Sequence, residues 1–294
     1  MYLVVGSTGL LGSEICRQLT ARGQEVRSLV RQTSDPAKVQ ALRDRGAEVV
    51  MGDVRDRASL DAACRGVSAV ITTTSAMPFS YQPGNTIAEV DRDGQIGLID
   101  AAKAAGVRHL VYTAFSHGIG ASFPLKDAKR VVEEHLVASG LTYTILLPSY
   151  FMEVWLSPAV GFDAAAAKAA IYGEGRSPIS WISLVDVARF AVASLTNPAA
   201  RDAALELGGP EALSPLEVVK IYEEAGGRPF EVQHVPESAL AAQLEAATDG
   251  MQKSFAGLML SYAHGNAIDM REMLQVFQVP VTSVHEYAQR ALGR

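Results

Sequence analysis

The chain has 294 residues, of which 48% are hydrophobic and only 7% aromatic, and its formal net charge at pH 7 is −6. This length can bury a large core as one domain or two, and the acidic balance without a long basic run gives no indication of a surface that binds nucleic acid. No apolar run reaches the roughly 18 residues that a membrane span needs. The first predicted strand begins at Tyr2, which leaves no room for a signal peptide. We therefore expect a soluble cytoplasmic protein whose cysteines, Cys16 and Cys64, are buried and reduced.

Strand-like and helix-like segments alternate from the amino terminus. Predicted strands cover 2–5, 26–30, 48–51, 68–72, 109–113 and 142–147. Predicted helices cover 10–22, 36–45, 58–64, 88–105 and 127–139. This alternation predicts an α/β fold built on a doubly wound parallel sheet of the Rossmann type, in which ligands bind at the carboxyl ends of the strands.

The regular alternation ends after about residue 150. The Ala-rich stretch 164–170 predicts a helix, and a second helix is predicted over 182–195 with Asp186 as its expected capping residue. Residues 204–207 predict a late strand that returns to the core. Ser214, Pro215 and Glu217 have the spacing of a capping box with proline at the first helical position, which predicts a helix over 214–226. Residues 228–294 are expected to form short helices and connections.

A glycine-rich turn joins the first predicted strand to the first predicted helix. Gly6 permits the tight turn, Gly9 lets the backbone approach a pyrophosphate, and Gly12 lets the helix pack closely on the strand. The N–H groups at the amino end of the helix then face the anion. A turn without a ligand is the structural alternative. The predicted dinucleotide-binding turn comprises Gly6, Ser7, Thr8, Gly9, Leu10, Leu11 and Gly12.

Arg31 follows the second predicted strand, at the place where an acidic residue would hydrogen-bond a ribose 2′-hydroxyl and select NAD. Residues 27–34 contain no acid. Arg31 can instead grip a 2′-phosphate with its guanidinium, assisted by Ser34 or Lys38, so the sequence predicts NADP(H) as the cofactor. A solvated surface charge is the alternative for Arg31, and Arg27 on the same strand face is a weaker candidate.

Together these features resemble the atypical short-chain dehydrogenase/reductases, specifically the NmrA-like group, over nearly the whole chain. The segments that carry the resemblance are 6–12, 30–31, 52–56, 98–107 and 139–146. The resemblance implies an NADP-binding Rossmann core over 1–155, completed by about 182–225. It also implies a small, mostly helical C-terminal substrate lobe from 156–181 and 226–294. The fold hosts many functions, so it does not fix the reaction.

The resemblance also implies cofactor contacts at the ends of the later strands. Gly52, Asp53 and Val54 would border the adenine, whereas Asp56 more simply caps the helix near residue 58. The other implied contacts are Thr73, Thr74, Ser75 and Thr113 after the fourth and fifth strands, and Pro148, Ser149, Tyr150 and Phe151 along the nicotinamide. Serine stands at position 149 where the family pattern has glycine, so side-chain contacts in that segment are an open question.

The resemblance places the family's lysine at Lys129, eleven residues before Gly140. Leu125 occupies the position four residues earlier, where short-chain dehydrogenases carry the proton-donating tyrosine, so that donor is absent. We predict that Lys129 contacts the cofactor and is the catalytic residue, with Lys126 as the alternative if the helix register differs. The remaining candidate proton donors are His117, Tyr81 and Tyr150.

A reductase would need an apolar pocket, which we expect from the aromatic residues Trp155, Phe162, Trp181 and Phe255. The histidines lack the spacing of paired metal ligands, and there is no Gly-x-Ser-x-Gly segment, so neither a metal site nor a serine hydrolase is expected.

The leading interpretation is an NADPH-dependent reductase of a small apolar or aromatic carbonyl, quinone or enone substrate. The alternative is a non-catalytic NADP(H)-binding redox sensor or regulator that acts through a protein partner. An epimerase or isomerase is disfavoured by the missing tyrosine. The expected partner is a small-molecule substrate, with a homodimer left open and neither nucleic acid nor a membrane expected.

Overall fold

The computed structural model describes residues 1–77 and 80–294. The chain divides into two compact units. Unit 1 comprises Met1–Ala114, Pro124–Leu146 and Val187–Leu205. Unit 2 comprises Phe115–Phe123, Leu147–Asp186 and Glu206–Arg294.

Ten strands lie in the described part of the chain. They are β1 (Tyr2–Val5), β2 (Val26–Val30), β3 (Glu48–Met51), β4 (Ala69–Thr72), β5 (His109–Thr113), β6 (Thr142–Pro148), β7 (Phe162–Asp163), β8 (Lys168–Tyr172), β9 (Ala203–Leu207) and β10 (Glu231–Val235).

The helices of the described residues follow the same chain order. They are α1 (Leu10–Ala21), α2 (Pro36–Asp44), α3 (Arg57–Cys64), a π-helix (Ile87–Asp93), α4 (Gly94–Ala104), α5 (Pro124–Ala138), α6 (Met152–Trp155), α7 (Leu184–Ser194), α8 (Pro215–Gly226), α9 (Glu237–Ala246), α10 (Gly250–His264), α11 (Arg271–Phe277) and α12 (Val284–Ala291). Short 3₁₀ turns cover Pro158–Val160 and Pro198–Ala200.

The main sheet has the strand order β3-β2-β1-β4-β5-β6-β9. The pairs from β3 through β6 are parallel. The order reverses direction between β1 and β4, as in a doubly wound sheet, where ligands bind at the carboxyl edge. Strands β4 and β5 are buried along their whole length, as expected for parallel strands covered by helices on both faces. The predicted Rossmann-type fold is therefore confirmed.

The predicted helix over 164–170 is wrong. Residues 164–167 form a turn, Ala167 has a positive φ of 53°, and β8 begins at Lys168. Strand β8 pairs in parallel with β10, which the sequence reading missed, and antiparallel with β7. The high helix propensity of alanine is a weak preference, and here the pairing of strands overrides it.

Two helix boundaries also differ from the sequence expectation. The predicted helix over 88–105 consists of a π-helix capped by a Thr86–Glu89 capping box, followed by α4. Asp186 lies inside α7 rather than at its cap, and its carboxylate accepts hydrogen bonds from the Thr282 N–H at 2.6 Å and the Thr282 hydroxyl at 3.3 Å. Its structural role holds, but it joins two segments of unit 2 instead of capping the helix.

Two predicted caps are present. Ser214 and Glu217 form both halves of the capping box at the start of α8, and the Asp56 carboxylate accepts from Ala58 N at the start of α3. Within residues 1–77 and 80–294, no helix is both long and apolar enough to span a membrane.

Candidate functional site

The glycine turn of unit 1 contains three glycines, and each position favours glycine for a different physical reason. Gly6 has a φ of +85°, and a Cβ there would lie 2.7 Å from Thr73 Oγ1. Gly12 packs so tightly that a Cβ would overlap the Gly6 carbonyl. Gly9 is less crowded, because its Cβ would lie 3.2 Å from the Gly6 oxygen at an ordinary φ of −78°. Gly6 and Gly12 are therefore required by the turn itself, and Gly9 leaves room above it.

Helix α1 begins at this turn without a side-chain cap. Gly9 is its N-cap in an extended conformation, no side chain caps the helix, and its first turn carries no acidic residue. Backbone N–H groups at such an end are left without intrahelical partners and attract anions. The space above Gly9 and the uncapped helix end fit a pyrophosphate. The first helical side chain, Leu10, is 55% exposed, whereas Leu11 is buried.

Ser7 and Thr8 differ within the same turn. Ser7 is fully buried, and its hydroxyl donates to the Leu29 carbonyl at 3.2 Å, so it ties the turn to β2. A hydroxyl held in this way stabilises the shape of the turn. Thr8 is half-buried.

Arg31 lies directly after β2. Its Nη1 donates to Asn85 Oδ1 at 3.2 Å, and its backbone N–H donates to the Ser34 hydroxyl at 3.1 Å. Arg27, the weaker candidate, is engaged elsewhere: its guanidinium pairs with Glu48 at 3.1 Å and donates to backbone carbonyls beside α3. The structure therefore leaves Arg31, rather than Arg27, as the arginine at the carboxyl edge of the sheet.

Asp53 follows β3 and is clamped by Arg55. Arg55 Nη2 lies 2.6 Å from Asp53 Oδ2, and the same guanidinium donates to the Gly84 carbonyl. These hydrogen bonds lower the pKa of Asp53, and the nearby charge of Arg31 adds to the effect. The Asp53 N–H is bound by the Ser59 hydroxyl at 3.0 Å. The carboxylate is thus fixed and partly neutralised near Arg31.

Gly52 and Val54, beside Asp53, lie in close packing. A Cβ on Gly52 would lie 2.7 Å from Leu29 Cδ1, and Val54 is buried against Gly94. This segment therefore offers backbone rather than extra side chains to a ligand.

Hydroxyl residues after β4 line the same edge of unit 1. The Thr73 N–H donates to the Val5 carbonyl at 3.0 Å. The Thr74 hydroxyl is buried without a hydrogen-bond partner among the described residues. An unsatisfied buried hydroxyl is costly, so this atom fits a polar ligand group that lies against the loop.

Asp91 holds the next part of this loop. The Asp91 side chain is 0% exposed, and its Oδ2 accepts from the Ala76 N–H at 3.0 Å. The Ser75 hydroxyl also bonds this carboxylate. Its Oδ1 has no hydrogen-bond partner among the described residues. Burial raises the pKa of Asp91, and the charge of Lys129 opposes that rise.

Lys129 is buried in α5 at 6% exposure. Its Nζ donates to the Thr113 carbonyl at 3.1 Å and lies 5.3 Å from the centroid of the Tyr112 ring. Burial lowers the pKa of Lys129, and the Asp91 carboxylate counteracts that shift. The structure thus brings Lys129 to the end of β5, whereas Lys126 is only half-buried.

Thr113 also carries a hydroxyl that is buried without a hydrogen-bond partner among the described residues. It lies at the carboxyl end of β5, like Thr74 after β4. Two unsatisfied hydroxyls at this edge suit a ligand rich in polar groups.

The segment Pro148–Phe151 lies in unit 2. The Ser149 N–H donates to the Leu207 carbonyl at 2.8 Å, and the Tyr150 carbonyl accepts from the Ile182 N–H at 3.1 Å. Phe151 forms an isolated parallel bridge with Ile182. The backbone of this segment is therefore fixed on both sides.

The chain matches the model of the NmrA-like family over residues 2–288. It belongs to the NmrA-like family. Among its relatives is an NAD(P)H azoreductase of Xenophilus azovorans, 35% identical, with 88% of this chain and 85% of the relative covered. The photosystem II assembly factor Ycf39 of Trieres chinensis is 28% identical over 80% of this chain and 72% of that protein. The crystal structure of an NADPH-dependent quinone oxidoreductase from Escherichia coli with NADPH has a TM-score of 0.79, 24% identity and coverage of 99% of this chain and 100% of that chain, which supports the fold.

Two of the aromatic residues expected to form a pocket, Trp155 and Trp181, lie in one aromatic cluster of unit 2. Trp155 stacks on Tyr262 with ring centroids 5.1 Å apart, and Tyr150 contacts both rings edge-on. Trp181 is buried beside them. Phe162 packs elsewhere in the unit, and Phe255 is half-buried. The Phe162 ring packs against the rings of Tyr222 and Phe230.

The candidate proton donors have different environments. The Tyr150 hydroxyl is buried without a hydrogen-bond partner among the described residues, and burial raises its pKa. The exposed His117 lies near Glu206, whose Oε1 accepts from the His117 backbone N–H at 2.8 Å. Tyr81 is half-buried.

Two residues of the structure were missed by the sequence reading. Asp91 lies in the charged stretch 89–93, but its side chain is buried in the π-helix and accepts from the Ala76 N–H. Asn266 follows α10 and bridges Ser116 and Ser149 within unit 2. No sequence signal marks Asn266, because its partners lie 150 and 117 residues away.

Within the described residues, no group of three or more His, Cys, Asp or Glu side chains is arranged to hold a metal ion.

Proposed function

We propose that this chain is an NADPH-dependent reductase of a small apolar or aromatic quinone, enone or carbonyl compound. The observation that carries the proposal is the uncapped start of α1 above Gly9, followed by Arg31 without an acid after β2. The relatives named as an NAD(P)H azoreductase and an NADPH-dependent quinone oxidoreductase support the oxidoreductase class and the cofactor.

The residues of unit 1 divide the work of binding. The N–H groups of the glycine turn would hold the pyrophosphate, and the Arg31 guanidinium would hold the 2′-phosphate. The clamp of Arg55 on Asp53 reduces the repulsion that this carboxylate would exert on a phosphate near Arg31. Gly52, Val54 and the loop after β4 would border the adenosine half.

Lys129 is the residue that we assign to the reaction. Bound NADPH supplies the hydride. The Lys129 ammonium donates to the Thr113 carbonyl at 3.1 Å. We infer that it also orients the nicotinamide ribose and brings positive charge toward an oxygen that becomes negative in the substrate. Burial lowers the pKa of this lysine, and the Asp91 carboxylate opposes that shift.

The missing tyrosine bears on the substrate class. Leu125, at the position of the usual proton donor, is buried and cannot donate. Reduction of a saturated ketone leaves an alkoxide, which needs an acid nearby. Reduction of a quinone or an enone leaves a phenolate or an enolate, whose charge is delocalised and which takes its proton from water. We therefore propose quinones and enones ahead of saturated ketones.

A sensor role is the second candidate, and one observation favours it. A relative is named as a photosystem II assembly factor rather than as a reductase. A sensor binds NADP(H) at the same turn but needs only a surface that differs between cofactor states and a partner that reads it.

A direct experiment separates the two. Purified protein is mixed with NADPH and a panel of quinones, enones and saturated ketones, and NADPH oxidation is followed at its absorbance band. A reductase oxidises NADPH with at least one acceptor. Tight NADPH binding without turnover on any acceptor favours the sensor.

A further inference from the structure

A buried carboxamide holds the side chain of Arg31 within unit 1. Asn85, which is 2% exposed, accepts from Arg31 Nη1 at 3.2 Å through its Oδ1. Its Nδ2 donates to the Ser80 carbonyl at 2.5 Å. A guanidinium can only donate and a carbonyl can only accept, so both contacts require the same orientation of the carboxamide. The Asn85 oxygen is therefore held toward Arg31.

The turn that carries Asn85 is held by a second arginine. The Asn85 N–H donates to the Gln82 carbonyl at 2.8 Å, which closes the turn 82–85. Arg55 donates to the Gly84 carbonyl of the same turn. Gly84 has a φ of +77°, a backbone conformation that favours glycine. Because its turn is fixed in this way, Asn85 is an anchor for the long Arg31 side chain.

The contact with Asn85 leaves one edge of the guanidinium without a partner among the described residues. Asn85 takes Nη1 and leaves Nε and Nη2. The charge of Arg31 acts on the Asp53 carboxylate, but both oxygens of this carboxylate are already bonded by the Arg55 guanidinium, at 2.8 and 2.6 Å. Nε and Nη2 of a guanidinium point in the same direction and match two oxygens of a phosphate group. The remaining edge therefore suits a phosphate monoester from outside the chain.

We propose that Asn85 is a positioning residue for cofactor selection, which holds Arg31 by Nη1 so that Nε and Nη2 face the 2′-phosphate of NADPH. This inference rests on the proposed function, which gives the 2′-phosphate to Arg31. Asn85 acts through Arg31 and does not itself touch the phosphate. An arginine that is already ordered loses less side-chain entropy when the phosphate binds. The benefit is therefore expected for a cofactor with the 2′-phosphate and not for one without it.

The test uses the ratio of NADPH affinity to NADH affinity, measured by calorimetry, because these two ligands differ only in the 2′-phosphate. Asn85→Ala removes the anchor of the Arg31 side chain. It is expected to lower the ratio about three- to tenfold, the value of ordering one long side chain. The affinity for NADH should stay within about twofold of that of the natural protein. Asn85→Leu, which keeps the size of the buried side chain but not its acceptor, should give the same result.

A double variant tests whether Asn85 acts through Arg31. In the Arg31→Gln background, Asn85→Ala should leave the ratio within about twofold of that of Arg31→Gln alone, because no guanidinium remains to be held. Asn197→Ala is the matched control, since it removes another carboxamide of unit 1, which accepts from the Ala199 N–H at 3.0 Å in a separate turn. It should leave the ratio unchanged. Thermal melting reports the folding of every variant, and Asn85→Leu keeps the test decisive if Asn85→Ala does not fold.

The other results have distinct meanings. An unchanged ratio in Asn85→Ala, while Arg31→Gln lowers it, would overturn the inference. A higher ratio would also overturn it, because the carboxamide would then compete with the phosphate for Arg31. An equal loss for both cofactors would overturn it as well, since Asn85 would then only support the fold. If the natural protein binds NADPH and NADH equally, or binds neither, the proposed function itself fails.

Discussion

At the scale of single residues, we propose that Arg31 selects between the two nicotinamide cofactors. Its guanidinium is held by Asn85, and no acid lies in residues 27–34. Arg27, within β2, provides a control for Arg31, because its guanidinium is already bonded to Glu48 and to backbone carbonyls beside α3.

We expect the natural protein to bind NADPH at least tenfold more tightly than NADH. A charge-assisted hydrogen bond contributes about 1.5–3 kcal/mol, which corresponds to roughly 10- to 150-fold in affinity. Arg31→Gln should remove most of this preference, and Arg31→Asp should erase or invert it. Arg27→Gln should leave the ratio unchanged. Calorimetric affinities of NADPH and NADH that are equal in the natural protein would contradict this assignment.

The glycines of the turn should respond differently to added bulk. Gly9→Val places a side chain in the space above the turn at an allowed φ, so NADPH binding should be lost while the melting temperature changes little. Gly12→Ala forces a methyl group into the Gly6 carbonyl and should destabilise the fold by about 1–3 kcal/mol. This clash outweighs the gain of about 1 kcal/mol from replacing glycine in a helix.

Urea unfolding and NADPH titration of both glycine variants check this prediction. A folded Gly9→Val protein that keeps its NADPH affinity would show that the cofactor lies elsewhere. A Gly12→Ala protein as stable as the natural one would contradict the packing argument.

At the scale of elements, the π-helix carries a buried carboxylate. Asp91 is fully buried in this element, while Asp93 is exposed and paired with Arg92 at 2.7 Å. π-Helical segments often occur at functional sites. Asp91 of the π-helix and Lys129 of α5 are both buried, and each opposes the shift in pKa that burial imposes on the other.

Removing either charge should leave the other buried with less compensation. Asp91→Asn and Lys129→Met are each expected to lower the free energy of unfolding by about 3–5 kcal/mol. The double variant should be less destabilised than the sum of the two single variants. Asp93→Asn is the exposed control and should change stability by less than about 0.5 kcal/mol. Urea unfolding of the four variants measures the coupling, and additive effects would show that the two charges do not interact.

Most elements of the main sheet were predictable from local sequence signals. The six strands of the predicted sheet and α1 were located within one or two residues, because apolar runs and glycine turns are local signals. The strand β10 and the turn before β8 were missed, since β10 has only two half-buried residues and pairs with a distant segment. The glycine turn and Arg31 were predictable for the same local reason, whereas Asp91 and Asn266 depend on contacts that only the folded chain creates.

At the scale of the whole molecule, the missing tyrosine should be visible in the choice of substrate. Quinones and enones should be reduced with a higher kcat/KM than saturated ketones of similar size. Their reduced anions do not need a proton donor at position 125, where this chain has leucine. The comparison uses matched pairs, such as a cyclic enone and its saturated ketone. Faster reduction of the saturated ketone would mean that another residue supplies the proton.

The most direct test of the account is the fate of hydrogen from C4 of the nicotinamide. NADPH carrying deuterium on one or the other face of C4 is oxidised by the protein with an enone acceptor. The account predicts that deuterium from one face is fully lost from the NADP⁺ and appears at the β-carbon of the reduced product, while deuterium from the other face is retained. NADPH that binds but is not oxidised faster than without protein, for every quinone and enone tested, would contradict the account and favour the sensor.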